Sequence, residues 1–132
     1  MALTSTKLTN NQQTVLDLLE NAKEPLKAYK ILFDTQKKGI TAPPQVYRAL
    51  DKLIEIGKVH KIESKNSYIA CTHKNCNSST NTAFLICETC DHVSELTQKN
   101  LPSYFAKLSE QADFKYAKHN LEIYGVCKDC TK

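Results

Sequence analysis

The stretch Thr41-Ala42-Pro43-Pro44-Gln45-Val46-Tyr47-Arg48-Ala49-Leu50-Asp51-Lys52-Leu53-Ile54-Glu55-Ile56-Gly57 decides how the chain is read. Thr41 to Pro44 stop the chain and restart it. Pro44 suits the first turn of a helix, where a missing N–H leaves no hydrogen bond unmade. Val46, Leu50, Leu53 and Ile54 then recur at helical spacing, and Gly57 ends the run. Gln45, Tyr47, Arg48, Asp51 and Lys52 lie away from that apolar stripe. Arg48 is the only arginine; the other 17 basic residues are lysines. Arginine grips a guanine or a phosphate with two donors at once, which lysine cannot do.

Upstream, Val15, Leu16, Leu18, Leu19 and Ala22 form one amphipathic helix after the capping-rich Thr9-Asn10-Asn11. Ala28, Ile31 and Leu32, with Tyr29 and Phe33 beside them, form a second that ends near Gly39. Downstream, Val59 to Glu63 and Ser67 to Ala70 alternate around the polar tip Ser64-Lys65-Asn66, as a β-hairpin does. Two helices, a turn, a third helix and a hairpin make a winged helix-turn-helix, whose last helix enters the DNA major groove. Tyr47, Arg48 and Gln45 are the expected groove contacts. Lys61 and Lys65 on the wing, with Lys58, are expected to hold phosphates.

The charge is divided along the chain. Residues 1–70 carry eleven Lys and Arg against seven Asp and Glu, a net of +4; residues 71–132 carry seven of each. All six cysteines lie in the second part. With 41% hydrophobic and 24% charged residues, the sequence reads as globular, not disordered. No apolar run approaches the ~20 residues of a membrane span. The polar N-terminus lacks the apolar segment of a signal peptide, so the chain is expected to be cytoplasmic. In a reducing compartment this cysteine density points to metal and not to disulfides.

Cys87-Glu88-Thr89-Cys90 and Cys127-Lys128-Asp129-Cys130 are two C-x-x-C pairs with 36 residues between them. Each follows a strand-like run, Ala83 to Ile86 and Leu121 to Val126. Paired strands bring four thiolates into one closed tetrahedral zinc site. A helix carrying Leu101, Tyr104, Phe105 and Leu108 separates them. The expected fold is therefore α+β: a winged helix over residues 1–70, a hinge over 71–82, and a small zinc-stabilised α/β domain over 83–132.

Cys71, Cys76, His60, His73, His92, His119 and Glu95 remain. Cys71 closes the hairpin and His60 lies on its first strand, so the two can face each other. A His, Cys and carboxylate site at the junction of two modules is one reading. A buried Cys71 and a surface His60 without metal is the other.

Leu8-Thr9, the block Pro43-Pro44-Gln45-Val46-Tyr47-Arg48-Ala49-Leu50, Gly57 to Glu63, Phe84 to Cys90 and Tyr124-Gly125-Val126-Cys127 resemble the Fur family of metal-dependent repressors. The match runs in order from about Leu8 to Cys130. Val59 to Ser64, Asn66 to Tyr68 and then Cys71 resemble its zinc-sensing branch, the zinc uptake regulators. The resemblance implies a homodimer, a structural zinc on Cys87, Cys90, Cys127 and Cys130, and a regulatory zinc in the hinge on His60, Cys71 and Glu95. The branch's fourth regulatory ligand, a histidine before Cys87, has no counterpart. Cys76 is the expected replacement, with His73 as the alternative. His119 aligns with an accessory-site ligand of iron-type members and is read here as structural or vacant, and His92 as a surface strand residue. Gln12 stands where the family has an arginine, and Asp91 where it has a glycine.

The function so implied is a zinc-responsive DNA-binding repressor of zinc uptake genes, with about two zinc ions per chain and an inverted-repeat operator. No catalytic triad, phosphate loop or paired acid–base carboxylates point to an enzyme. The alternatives are an iron, manganese, peroxide or thiol sensor of the same family, or a zinc-ribbon interaction module that does not bind DNA.

Overall fold

The computed structural model describes residues 7–71, 81–96 and 100–131. The chain divides into two compact units, Met1–Ser79 and Thr80–Lys132.

The first unit is the expected winged helix. It contains α1 (Asn10–Ala22), α2 (Ala28–Thr35) with a short 3-10 turn (Gln36–Lys38), α3 (Pro43–Glu55), and the hairpin β1 (Val59–Ile62) and β2 (Ser67–Ala70). Thr9 starts α1 with a reciprocal cap. Its hydroxyl accepts from the Gln12 N–H at 3.2 Å, and its own N–H donates to Gln12 Oε1 at 3.0 Å. Gln12, which replaces an arginine of the family pattern, thus serves the helix end. Gly39 turns the chain toward α3 at φ 95°, a conformation that costs other residues a Cβ clash. α3 begins on Pro43, one residue before the proline singled out from sequence.

Val15, Leu19, Ile31, Ile40, Leu50, Leu53 and Val59 are fully buried in one core. Leu26 and Tyr68 exchange two backbone hydrogen bonds of 2.8 Å, which ties the α1–α2 link to the wing. Tyr29 and Phe33, read as part of the second amphipathic stripe, stay exposed at 72% and 69%. They sit beside Ile31 and Leu32 in sequence but on the outward face of α2.

The second unit is a three-stranded sheet with one helix. β3 (Asn81–Cys87) is central, with β4 (Val93–Glu95) antiparallel on one side and β5 (His119–Gly125) parallel on the other. Parallel neighbours need a crossover, and α4 (Leu101–Gln111) lies within it. β5 runs from His119 to Gly125, two residues earlier at its start than the 121–126 run suggests. Ala83, Phe84, Ile86, Cys87 and Val93 are buried, whereas no side chain of α4 is. No helix among the described residues is long and apolar enough to cross a membrane.

Candidate metal centre and nucleic-acid interface

The β3–β5 register pairs Cys87 with Gly125, so each C-x-x-C turn leaves the sheet at the same end. The sulfurs of Cys87, Cys90, Cys127 and Cys130 all lie within 4.8 Å of one another. Four sulfurs at ~2.3 Å from a zinc ion sit ~3.8 Å apart by tetrahedral geometry. Cys90 Sγ and Cys127 Sγ are 3.8 Å apart. The N–H groups of Thr89 and Cys90 donate to Cys87 Sγ at 3.4 Å, and that of Cys127 does so at 3.3 Å. Three such donors favour thiolate over thiol.

The Cys127 N–H in particular, helped by that of Cys90, lowers Cys87 to about 6. Cys130 is pushed up to about 12, chiefly by its thiol's hydrogen bond to Cys127. The donor set fits a tetrahedral zinc ion. Four protein ligands leave no position for substrate or water, so the site is structural in kind.

On the wing, His60 pairs with Ile69 across the hairpin, and Cys71 follows two residues later. Diagonal neighbours on one sheet face are within reach of long side chains. A ring nitrogen of His60 and Cys71 Sγ lie within 4.8 Å of each other. His60 is buried and Cys71 half-buried. The Cys71 N–H donates to Lys58 O at 2.9 Å, extending the ladder past β2.

Glu95 ends β4, half-buried, in the second unit. Cys76 and His73 lie outside the described residues. His92 is exposed just before β4, with its Nε2 3.1 Å from Ser94 Oγ. His119 Nδ1 meets the Tyr116 hydroxyl at 2.7 Å, and the Phe105 ring lies 4.8 Å from the imidazole. Burial lowers the pKa of His119.

The outward face of α3 carries Tyr47, Arg48 and Asp51, all exposed, with Lys52 beside them. Lys52 pairs with Glu55 at 3.6 Å. On the wing, Lys61 pairs with Glu63 at 3.5 Å and sits 6.0 Å from the Tyr68 ring centroid. The backbone carbonyl of Lys65 accepts from Lys27 Nζ at 3.3 Å, tying the tip to the start of α2. Gln45 also has a role in the turn that the sequence reading did not include. Its Oε1 accepts from the Thr41 N–H at 2.8 Å and the Ala42 N–H at 2.9 Å. The usual sequence sign of such a cap is Ser or Thr at the N-cap with Gln three residues on. Ala42 at that position hides it.

A winged helix and a four-cysteine metal centre in one chain define the class of metal-binding transcription regulators. A sequence model described as the Ferric uptake regulator family matches residues 4–124, and the chain belongs to that family. It is 33% identical over 127 residues to the Zinc uptake regulation protein of Escherichia coli (strain K12), spanning 96% of this chain and 74% of the relative. It is similar to a structure described as holo XcZur, with a TM-score of 0.85 and 37% identity over 95% of this chain and 86% of the other. A second, described as a zinc uptake regulator complexed with zinc and DNA, gives 0.84 and 32% over 95% and 83%.

Proposed function

We propose that this protein is a zinc-responsive transcriptional repressor that controls zinc uptake genes, with zinc as co-repressor. The observation that carries this reading is the pairing, within 4.8 Å on the wing, of a buried imidazole, His60, with Cys71. A histidine and a cysteine so placed on a DNA-binding hairpin make a soft half-site that suits zinc better than iron or manganese. The similar structure described as a zinc uptake regulator complexed with zinc and DNA supports the same reading.

Residues 1–70 form the DNA-binding domain, 71–82 the hinge and 83–132 the dimerisation domain. Cys87, Cys90, Cys127 and Cys130 hold the structural zinc. His60, Cys71 and Glu95 hold the regulatory zinc with Cys76, or His73 in its place. Arg48, Tyr47 and Gln45 address the major groove, and Lys61 and Lys65 the phosphates. The homodimer then reads an inverted repeat whose half-sites are set by whole helical turns.

Zinc, when bound, would tie together side chains that are apart in sequence. His60 and Cys71 orient the wing toward it, and Glu95 orients β4. Ligands drawn from two elements favour the state that brings them together. The shift in operator affinity equals the zinc preference for that state and no more.

The experiment is operator binding by the reduced protein against free zinc, for the wild type and Cys71→Ser. The reading expects tight binding only with zinc, and loss of that dependence in C71S with the structural zinc retained. Zinc-independent binding by the wild type defeats it. A thiol-sensing reading expects peroxide to abolish binding before any zinc is released.

A further inference from the structure

We infer that Gln45 is a specificity-determining residue whose amide is locked so that only its NH2 group faces the groove, where it selects guanine or thymine and cannot make the two-point contact with adenine. This rests on the reading of α3 as the recognition helix.

The lock is set by two hydrogen bonds. The N–H groups of Thr41 and Ala42 both point at one side-chain atom of Gln45, at 2.8 and 2.9 Å. Backbone N–H groups only donate, so that atom is the carbonyl oxygen and not the nitrogen. The bonds close the turn that precedes α3 and satisfy donors that α3 leaves open at its start. They hold Gln45, which is half-buried, at the third position of the helix. Its oxygen is engaged on the protein side, so what remains for DNA is two N–H donors.

The first turn of a recognition helix reaches the base edges. A free glutamine reads adenine by accepting from N6 and donating to N7 together. Gln45 has no acceptor left for N6. Its donors match guanine, which offers O6 and N7, or thymine, which offers O4 with no donor beside it, whereas adenine sets its N6 donor next to N7 and cytosine presents only the N4 donor. Arg48 lies one turn further on the exposed face, and it too carries only donors. α3 therefore presents donors at both positions, and its half-site should be rich in acceptors there.

The test uses full-length, zinc-loaded, reduced protein and a random-sequence duplex library, with base preference read at every half-site position. The variants are Gln45→Glu and Gln45→Ala, and melting temperature is measured for each. Glutamate keeps an acceptor for both N–H groups and has no donor to offer. Alanine removes cap and donor together.

The wild type is expected to prefer guanine or thymine at one position by about tenfold. Both variants lose that preference, whereas only Q45A lowers the melting temperature, by about 5 °C. Repulsion between the new carboxylate and phosphates lowers all sequences alike, so the ratio between bases isolates the lost donor. The inference is overturned if Q45E keeps the wild-type profile at every position, or if the position sensitive to Gln45 selects adenine or cytosine. If the wild type enriches no sequence at all, the assignment of α3 as a recognition helix fails, and this inference with it.

Discussion

The two units reach stability by different routes. The first buries an aliphatic cluster from all three helices and the wing, with Val15, Leu19, Leu50 and Leu53 wholly removed from water. The second buries little beyond β3 and Val93. It leaves Tyr104, Leu108, Phe114 and Tyr124 between 44% and 68% exposed, and α4 has no buried side chain. A unit with so small a core needs another source of stability, which a metal ion on the four cysteines gathered at one end of its sheet would supply. The first unit thus has a core of its own, whereas the second has few buried side chains and a cluster of thiols able to bind metal.

The sharpest way to break this contrast is to remove one structural sulfur. Cys127→Ser should unfold the second unit and abolish the dimer, because binding energy for a site of this type is on the order of 10 kcal/mol and is folding energy. The helical signal of α1 to α3 should persist in circular dichroism. A folded, dimeric C127S protein would falsify the claim that metal holds this unit. The site should also bind zinc less well in acid. Cys130, at about 12, must release a proton to zinc at any neutral pH, and Cys87, at about 6, adds a second competing proton only as pH falls through that value.

The converse test is Leu50→Ala, which opens a cavity in the first unit. It should cost about 2–5 kcal/mol in denaturant unfolding while the zinc content of the second unit stays constant. Loss of zinc with L50A would show that the units depend on each other more than their separate cores suggest.

Arg48→Ala should weaken operator binding by about 1–3 kcal/mol and relax specificity at one position of each half-site. Lys61→Ala and Lys65→Ala should instead weaken all sequences evenly and lower the salt slope by about one each. If R48A binds the operator like wild type, the exposed face of α3 is not the reading surface.

Among the regulatory ligands, Cys76→Ala should lower the affinity of the second zinc by about tenfold or more, with the structural zinc and the dimer intact. His73→Ala should do much less. The reverse ranking, measured by competition with a chromogenic chelator, would assign the fourth ligand to position 73.

The smallest expected effect is at His119. Burial holds its folded-state pKa below the ordinary 6.5. The unfolded chain therefore binds the proton first as pH falls. Stability is fully present above 6.5 and declines below it, and His119→Gln should flatten that slope in urea unfolding followed from pH 7.5 to 5.5.

Much of this was legible in the residues taken in order. Helical spacing in Val46, Leu50 and Leu53, the alternation on either side of Ser64-Lys65-Asn66, and the paired C-x-x-C motifs are local signals, because period and turn chemistry act over a few residues. Tyr29 and Phe33 show the limit. Five consecutive residues from Tyr29 to Phe33 include four apolar ones, and only packing against α1 and α3 selects which two face inward. The parallel register that sets Cys87 beside Gly125 joins strands more than thirty residues apart, and no local pattern encodes it. Sequence also named Gln45 as a groove contact without its polarity. An amide can turn either edge outward, and the two backbone N–H groups that choose between them are aimed by the bend of the folded turn. The residue types and their spacing determined a winged helix and a thiolate metal site. Tertiary structure alone decided which atoms those residues had left to offer, because hydrogen bonds and burial are allotted only when the chain has closed on itself.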